Sequence, residues 1–157
     1  MVEIYTDGAA RGNPGPGGYG VILKFGKHEK ELSQGFRLTT NNRMELLAVI
    51  EGLKALTRDG LDVVVTSDSK YVVDAVNLRW VFGWEKKGFV KKKNPDLWRE
   101  FLTVYRKHNV KFKWIKGHNQ HPFNERCDVL ATTAAAGRNL LIDDYFERSK
   151  EEESIFD

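Results

Sequence analysis

The sequence predicts an α/β fold, a five-stranded mixed sheet with helices on both faces. Three observations predict it: strand-like alternation through residues 2–38, a change to helical periodicity after Asn41, and two later β-branched or alternating runs, each followed by a helical pattern.

The elements follow in order. Residues 2–7 alternate, and GYGVILKFG at 18–26 with EKELSQGFRL at 29–38 reads as two strands joined by a short turn, giving an antiparallel three-strand start. Over residues 43–58, Leu46, Val49, Ile50, Leu53 and Leu56 share one helical face, and Asn42 stands three residues before Glu45 as a capping box. DVVVTS at 62–67 is a continuous apolar run suited to a buried central strand. Helices are expected at 69–78 and at 95–108, the latter opened by Pro95, whose fixed φ suits a first turn. VKFKWI at 110–115 alternates as a strand, and 124–136 ends the pattern in an alanine-rich helix. The order β-β-β-α-β-α-α-β-α calls for a sheet covered on both sides.

One domain accounts for 157 residues of which 41% are hydrophobic. The mean hydropathy is negative and no apolar run approaches the roughly 20 residues that span a bilayer, so no membrane association is expected. The chain opens directly on VEIYTD, so no signal peptide is expected either. The lone Cys127 excludes an internal disulfide framework or a thiolate zinc site and fits a reducing cytoplasm. Charge is unevenly spread: residues 143–157 carry a net −5, leaving +8 on residues 1–142. A basic body with an acidic tail suits a polyanionic partner, with the tail read as a solvated end or as an internal competitor for the basic surface.

Four carboxylates stand at element boundaries: Asp7 in YTDGAARGNPGPGG, Glu45 in TTNNRMELLA, Asp68 in TSDSKYV and Asp128 in NERCDVLA. Singly, each has a structural reading: a turn for Asp7, the capping box for Glu45, a helix cap for Asp68, solvent for Asp128. Gathered in one cleft they would repel one another and call for hard divalent cations, the basis of metal-assisted phosphodiester chemistry. GPGGYG at 15–20 matches a dinucleotide-binding pattern, but a strand follows it, so it reads as a wide turn or as backbone that approaches a phosphate closely.

TDGAARGNPGPGGYG, TTNNRMEL, TSDSKYV and WIKGHNQHPFNERCDVLA, with the basic tryptophan-containing stretch between them, closely resemble the bacterial-type, type 1 ribonuclease H family over residues 2–136 and in the same order. The resemblance implies a catalytic domain over residues 1–142, a sheet of three antiparallel then two parallel strands, and an acidic tail at 143–157. It implies that Asp7, Glu45, Asp68 and Asp128 hold two Mg²⁺ ions once substrate is present, with Mn²⁺ as a substitute. One ion would activate water and the other would stabilise the leaving 3′-oxygen, to give 5′-phosphate and 3′-hydroxyl ends. His118 matches a flexible-loop histidine that assists proton transfer or product release, and Glu125 a position beside the site. His121 takes no role, and His28 and His108 are expected at the surface.

The implied substrate is an RNA–DNA hybrid, recognised without strong sequence preference through the 2′-hydroxyl in the wide minor groove. Gly8, Asn13, Asn41, Asn42 and Arg43 match strand-contacting positions, and Lys70 is assigned to substrate contact as well, although Ala10 and Lys70 stand where relatives often carry other small or polar residues. RWVFGWEKKGFVKKK holds six bases against one acid. Alone it reads as a solvated face or a nucleic-acid contact; in the family pattern it matches a basic protrusion that grips the DNA strand through Trp80, Trp84, Lys86, Lys87, Lys91, Lys92 and Lys93. Trp98 and Trp114 are assigned to packing. A monomeric cytoplasmic endonuclease is the reading this implies; the alternatives are a scaffold that has lost catalysis and a nuclease acting on DNA junctions or transposon ends.

Overall fold

A computed structural model describes residues 1–117 and 120–155. The chain runs β1 (Val2–Ala10), β2 (Gly15–Phe25), β3 (His28–Thr39), α1 (Asn41–Lys54), β4 (Asp62–Ser67), α2 (Lys70–Asn77), α3 (Trp80–Lys86), α4 (Pro95–Tyr105), β5 (Asn109–Trp114), α5 (Pro122–Ala136), β6 (Leu140–Leu141) and α6 (Asp144–Ile155). The strands form one mixed sheet in the order β5-β4-β1-β2-β3-β6. Strands β1, β2 and β3 pair antiparallel, whereas β4 and β5 are parallel to β1, as expected. The sheet has six strands rather than five because a two-residue strand, too short to leave a periodic signal, pairs parallel with Gly35 and Phe36 of β3.

Side chains alternate across β1 and so reach two cores. Ile4 joins the larger one, with Leu46, Val49, Ile50 and Leu53 of α1 and Trp98 and Phe101 of α4; Tyr5 joins Ile22 and Cys127 beneath α5. Helix α5 lies directly on β2 and β3, since a Cβ at Gly18, Gly20 or Gly35 would fall on its backbone. The glycine-rich stretch is thus in part a seat for the helix that carries Asp128.

Several boundaries differ from the sequence expectation. Helix α1 stops at Lys54, and Gly60, at φ +76°, turns the chain into β4. Its N-cap is Thr40, whose hydroxyl accepts from the Arg43 amide at 3.2 Å, so Asn42 and Glu45 form no capping box. Helix α4 ends at Tyr105, and half-buried His108 accepts from the Leu61 amide at 3.2 Å through Nδ1 rather than lying free at the surface. Helix α3 escaped the sequence reading because it is seven residues long and its N-cap, Arg79, is left-handed with no side-chain cap. The acidic stretch is a helix pinned in its first turn by buried Phe146 and Asp143, not a solvated end throughout.

Candidate active site

The catalytic face forms where β1 and β4 end side by side and α1 begins. Gly8 permits this, because any side chain there would strike the Met44–Glu45 backbone. The Gly8 amide donates to Asp7 Oδ1 at 2.9 Å and also to Glu45 Oε1, so helix and strand are stitched together at the carboxylates themselves. Asp68 follows β4 directly, and the cap of α2 is Ser69, whose hydroxyl accepts from the Val72 amide at 3.3 Å. With the caps supplied by Thr40 and Ser69, the local structural duties proposed for Glu45 and Asp68 fall to other residues.

Ligand atoms of Asp7, Glu45 and Asp68 lie within 4.8 Å of one another. Asp128 lines the same cleft from α5, in a cavity of about 470 Å³ that also exposes Gly8, Ala10, Asn41, Asn42 and Lys70. Burial pushes the Asp7 carboxyl up to about 7; a hydrogen bond to Glu45 works against this, and the charges of Asp68 and Asp128 add to it. Glu45 is held well above the usual carboxylate range by burial and then by its neighbour Asp7. Each ionised pair in so small a space costs on the order of 3 kcal/mol at an effective dielectric of about 20. The donors are all oxygen, two of the three groups are buried, and no Lys or Arg pairs with them among the described residues, so the set fits a hard divalent cation.

Around this centre, Asn13 Oδ1 accepts from the Asn41 amide at 3.1 Å, which ties the β1–β2 turn to the start of α1. A second groove, of about 440 Å³, shares Asn42 with the cleft and carries Lys92 and Lys93. A third, of about 400 Å³, is lined by Trp80, Trp84, Lys87 and Lys92. Trp80 is exposed, whereas Trp84 packs edge-on against Trp98 with the Lys92 ammonium over its ring. Lys86 and Lys91 are exposed on the same segment. Glu125 is exposed in the first turn of α5 and does not line the carboxylate cleft. His118 lies outside the described residues.

Two sequence assignments change. Arg43 is not at the surface: its guanidinium donates to Asp143, Asp96 and Asn94 at 2.7–3.3 Å and its side chain is 3% exposed, so no donor remains for substrate. Trp114 is not packed away: it is 42% exposed, and its indole N–H donates to the Asp68 carbonyl at 3.1 Å. The signal for Trp114 was its place at the carboxyl end of a strand parallel to β4, where α/β sheets open their clefts. Trp98 is core, as expected, with its Nε1 donating to the Tyr71 hydroxyl at 2.9 Å. Cys127 is buried, donates to the Tyr5 carbonyl at 3.3 Å, and has its thiol pushed far up by burial.

The RNase H family model matches residues 1–136, the span that carries Asp7, Glu45, Asp68 and Asp128. The chain belongs to the RNase H family. It is 54% identical to a ribonuclease H of Pseudoalteromonas atlantica, covering 93% of this chain and 97% of that one, and 55% identical to one of Lachnoclostridium phytofermentans, covering 93% and 99%. Among solved structures, LC9-RNase H1, a type 1 RNase H with the type 2 active-site motif, aligns at a TM-score of 0.79 with 33% identity over 94% of this chain and 80% of its own. LC11-RNase H1 in complex with an RNA/DNA hybrid aligns at 0.66 with 28% identity over 87% of this chain and 97% of its own. This RNase H is therefore an endoribonuclease, a hydrolase of phosphodiester bonds, and the acidic cluster is its candidate metal centre. Among the described residues no helix is long and apolar enough to cross a membrane.

Proposed function

We propose that this chain cuts the RNA strand of RNA–DNA hybrids without sequence preference and leaves 5′-phosphate and 3′-hydroxyl ends. The observation that carries this is the convergence of Asp7, Glu45 and Asp68 within 4.8 Å, in a cleft rimmed by amides on one side and continuous with a lysine-bearing groove. Asp7, Glu45, Asp68 and Asp128 are the residues that would hold Mg²⁺, with Mn²⁺ as a substitute. Two such ions, when bound with substrate, supply an activated water and charge stabilisation at the leaving oxygen.

The chain's own residues do the rest. Gly8 fixes Glu45 against Asp7, and Asn13, Asn41 and Asn42 present donors and acceptors suited to a 2′-hydroxyl and its neighbouring bases. Lys86, Lys87, Lys91, Lys92 and Lys93, with Trp80 and Trp84, hold the DNA strand through its phosphates and sugars. Glu125 and His118 are assigned by sequence match alone: Glu125 to substrate contact, and His118 to proton transfer or product release. The same reading makes the protein a monomer of the cytoplasm. Support for hybrid binding comes from the LC11 relative, whose structure holds such a duplex.

Cleavage of a labelled hybrid tests this, run with Mg²⁺, with EDTA, and as Asp7→Asn with Mg²⁺, beside duplex DNA and duplex RNA. Cutting confined to the hybrid's RNA strand and abolished by EDTA or the substitution is the expected result. Tight hybrid binding with no cutting in Mg²⁺ or Mn²⁺ would overturn it.

A further inference from the structure

Lys70 is a cation in a cleft of acids that pairs with none of them. It lines the cavity with Asp7, Glu45, Asp68 and Asp128, yet among the described residues it makes no ion pair. Its ammonium lies instead over the Trp114 ring, 4.8 Å from the centroid. Trp114 pays for its place with exposed apolar surface, and its indole N–H is anchored to the Asp68 carbonyl at 3.1 Å. The position of Lys70 is itself unfavourable, since it is the first residue of α2, where the helix dipole disfavours a cation.

We infer that Trp114 is a positioning residue that holds the Lys70 ammonium off the carboxylates, leaving their oxygens open to a metal ion. This rests on the function proposed above and goes beyond it in naming the pair. Energetically the two resting places compete closely. A cation–aromatic contact at an exposed site is comparable in strength to an ion pair with the half-buried Asp68 at the rim. A flexible four-carbon stem lets the ammonium reach either. Without the ring, Lys70 turns inward and occupies the place of a divalent cation; with it, the ammonium stays at the rim.

A double-substitution cycle read by calorimetric titration with Mn²⁺ alone, in the absence of nucleic acid, tests the positioning role. Trp114→Leu is expected to weaken Mn²⁺ binding about two- to fivefold, and Trp114→Leu with Lys70→Gln to restore it. Trp114→Phe, which keeps a ring and loses the indole hydrogen bond, stays near the starting affinity. Equal weakening in the single and double variants would mean that Trp114 acts only through Asp68, and would overturn the inference, as would an unchanged Trp114→Leu. If even the unaltered chain fails to cut hybrid, the functional reading falls, while the Mn²⁺ cycle still reports on the pair.

Discussion

Helix α1 buries two charged side chains two residues apart, Arg43 and Glu45, in opposite electrical surroundings. Around Arg43 the charges match: Asp96 and Asp143 face it, and all five guanidinium N–H groups are used. Burial works against its positive charge, but the hydrogen bonds and charges of Asp96 and Asp143 outweigh that and raise its pKa. Around Glu45 the charges are alike, and burial and Asp7 push it toward its neutral form. The Arg43 cluster ties α1, α4 and the start of α6 together and is satisfied within the chain. The Glu45 cluster has no cation of the chain paired with it among the described residues, and in the function proposed above a metal ion completes it, which separates a group kept for stability from one kept for chemistry.

The largest effect expected from breaking this contrast is on activity. Asp7→Asn should lower hybrid cleavage by about 10³-fold or more, the several kcal/mol that metal-borne charge stabilisation supplies. The same substitution should raise the melting temperature of the metal-free protein by a few degrees, about 1–3 kcal/mol, because it removes repulsion with Asp68 and Asp128. A melting temperature that falls instead would show the cluster to be compensated after all. Arg43→Met is the mirror experiment. It strands two carboxylates, so denaturant unfolding should report a loss of about 3–5 kcal/mol. A loss below about 1 kcal/mol would place Asp96 and Asp143 in water rather than in a buried cluster.

The pH dependence sharpens the contrast. The carboxyls of Asp7 and Glu45 have folded pKa values raised above those of the unfolded chain, so the native state binds more protons, for Asp7 between about pH 4 and pH 7 and for Glu45 from the same lower bound. Stability of the metal-free protein should therefore be greatest at the acid end of that window and fall, by a few kcal/mol, as pH rises through it. Thermal melts at pH 5 and pH 8 in chelator check the sign. Added Mg²⁺ should recover more at pH 8 than at pH 5, because binding must release protons held at the carboxyls and fewer are held at the higher pH. Melts that rise with pH in chelator would contradict the raised values.

Most of the fold was legible because periodicity is a local property: the five longer strands, α1, α2, α4 and α5 all follow from runs of alternating or helically spaced residues. What escaped was set by tertiary context. Helix α3 lies between left-handed residues, Arg79 before it and Phe89 after it, and β6 has only two residues. Helix α6 is mostly charged, and what orders its start is Asp143 meeting Arg43 across 100 residues, a partner that no window could reveal. In the site, the three closest carboxylates were readable from their flanking motifs. Arg43 was misplaced because a basic residue beside two substrate-facing asparagines gives no sign of the distant acids that bury it. Trp114 was misplaced because alternation along β5 gives its parity with buried Phe112 but not that its own ring lies open at the strand's end.

The smallest expected effect lies at the rim, where charges are exposed and neither cluster takes part. Replacing Lys91, Lys92 and Lys93 by glutamine should weaken hybrid binding and flatten its dependence on salt, by about 0.9 in slope for each phosphate no longer neutralised. The three are not equivalent. Lys92 lines two grooves and lies 5.1 Å from the Trp84 ring centroid, Lys93 lines the groove shared with Asn42, and Lys91 is exposed at φ +61° and lines neither. Single substitutions should rank Lys92 first and Lys91 last in their effect on the slope, with the melting temperature little changed in each, since exposed charges contribute little to folding. An equal contribution from all three would mean that the segment acts as a diffuse cationic field, and the groove geometry would then have no part in how the DNA strand is held.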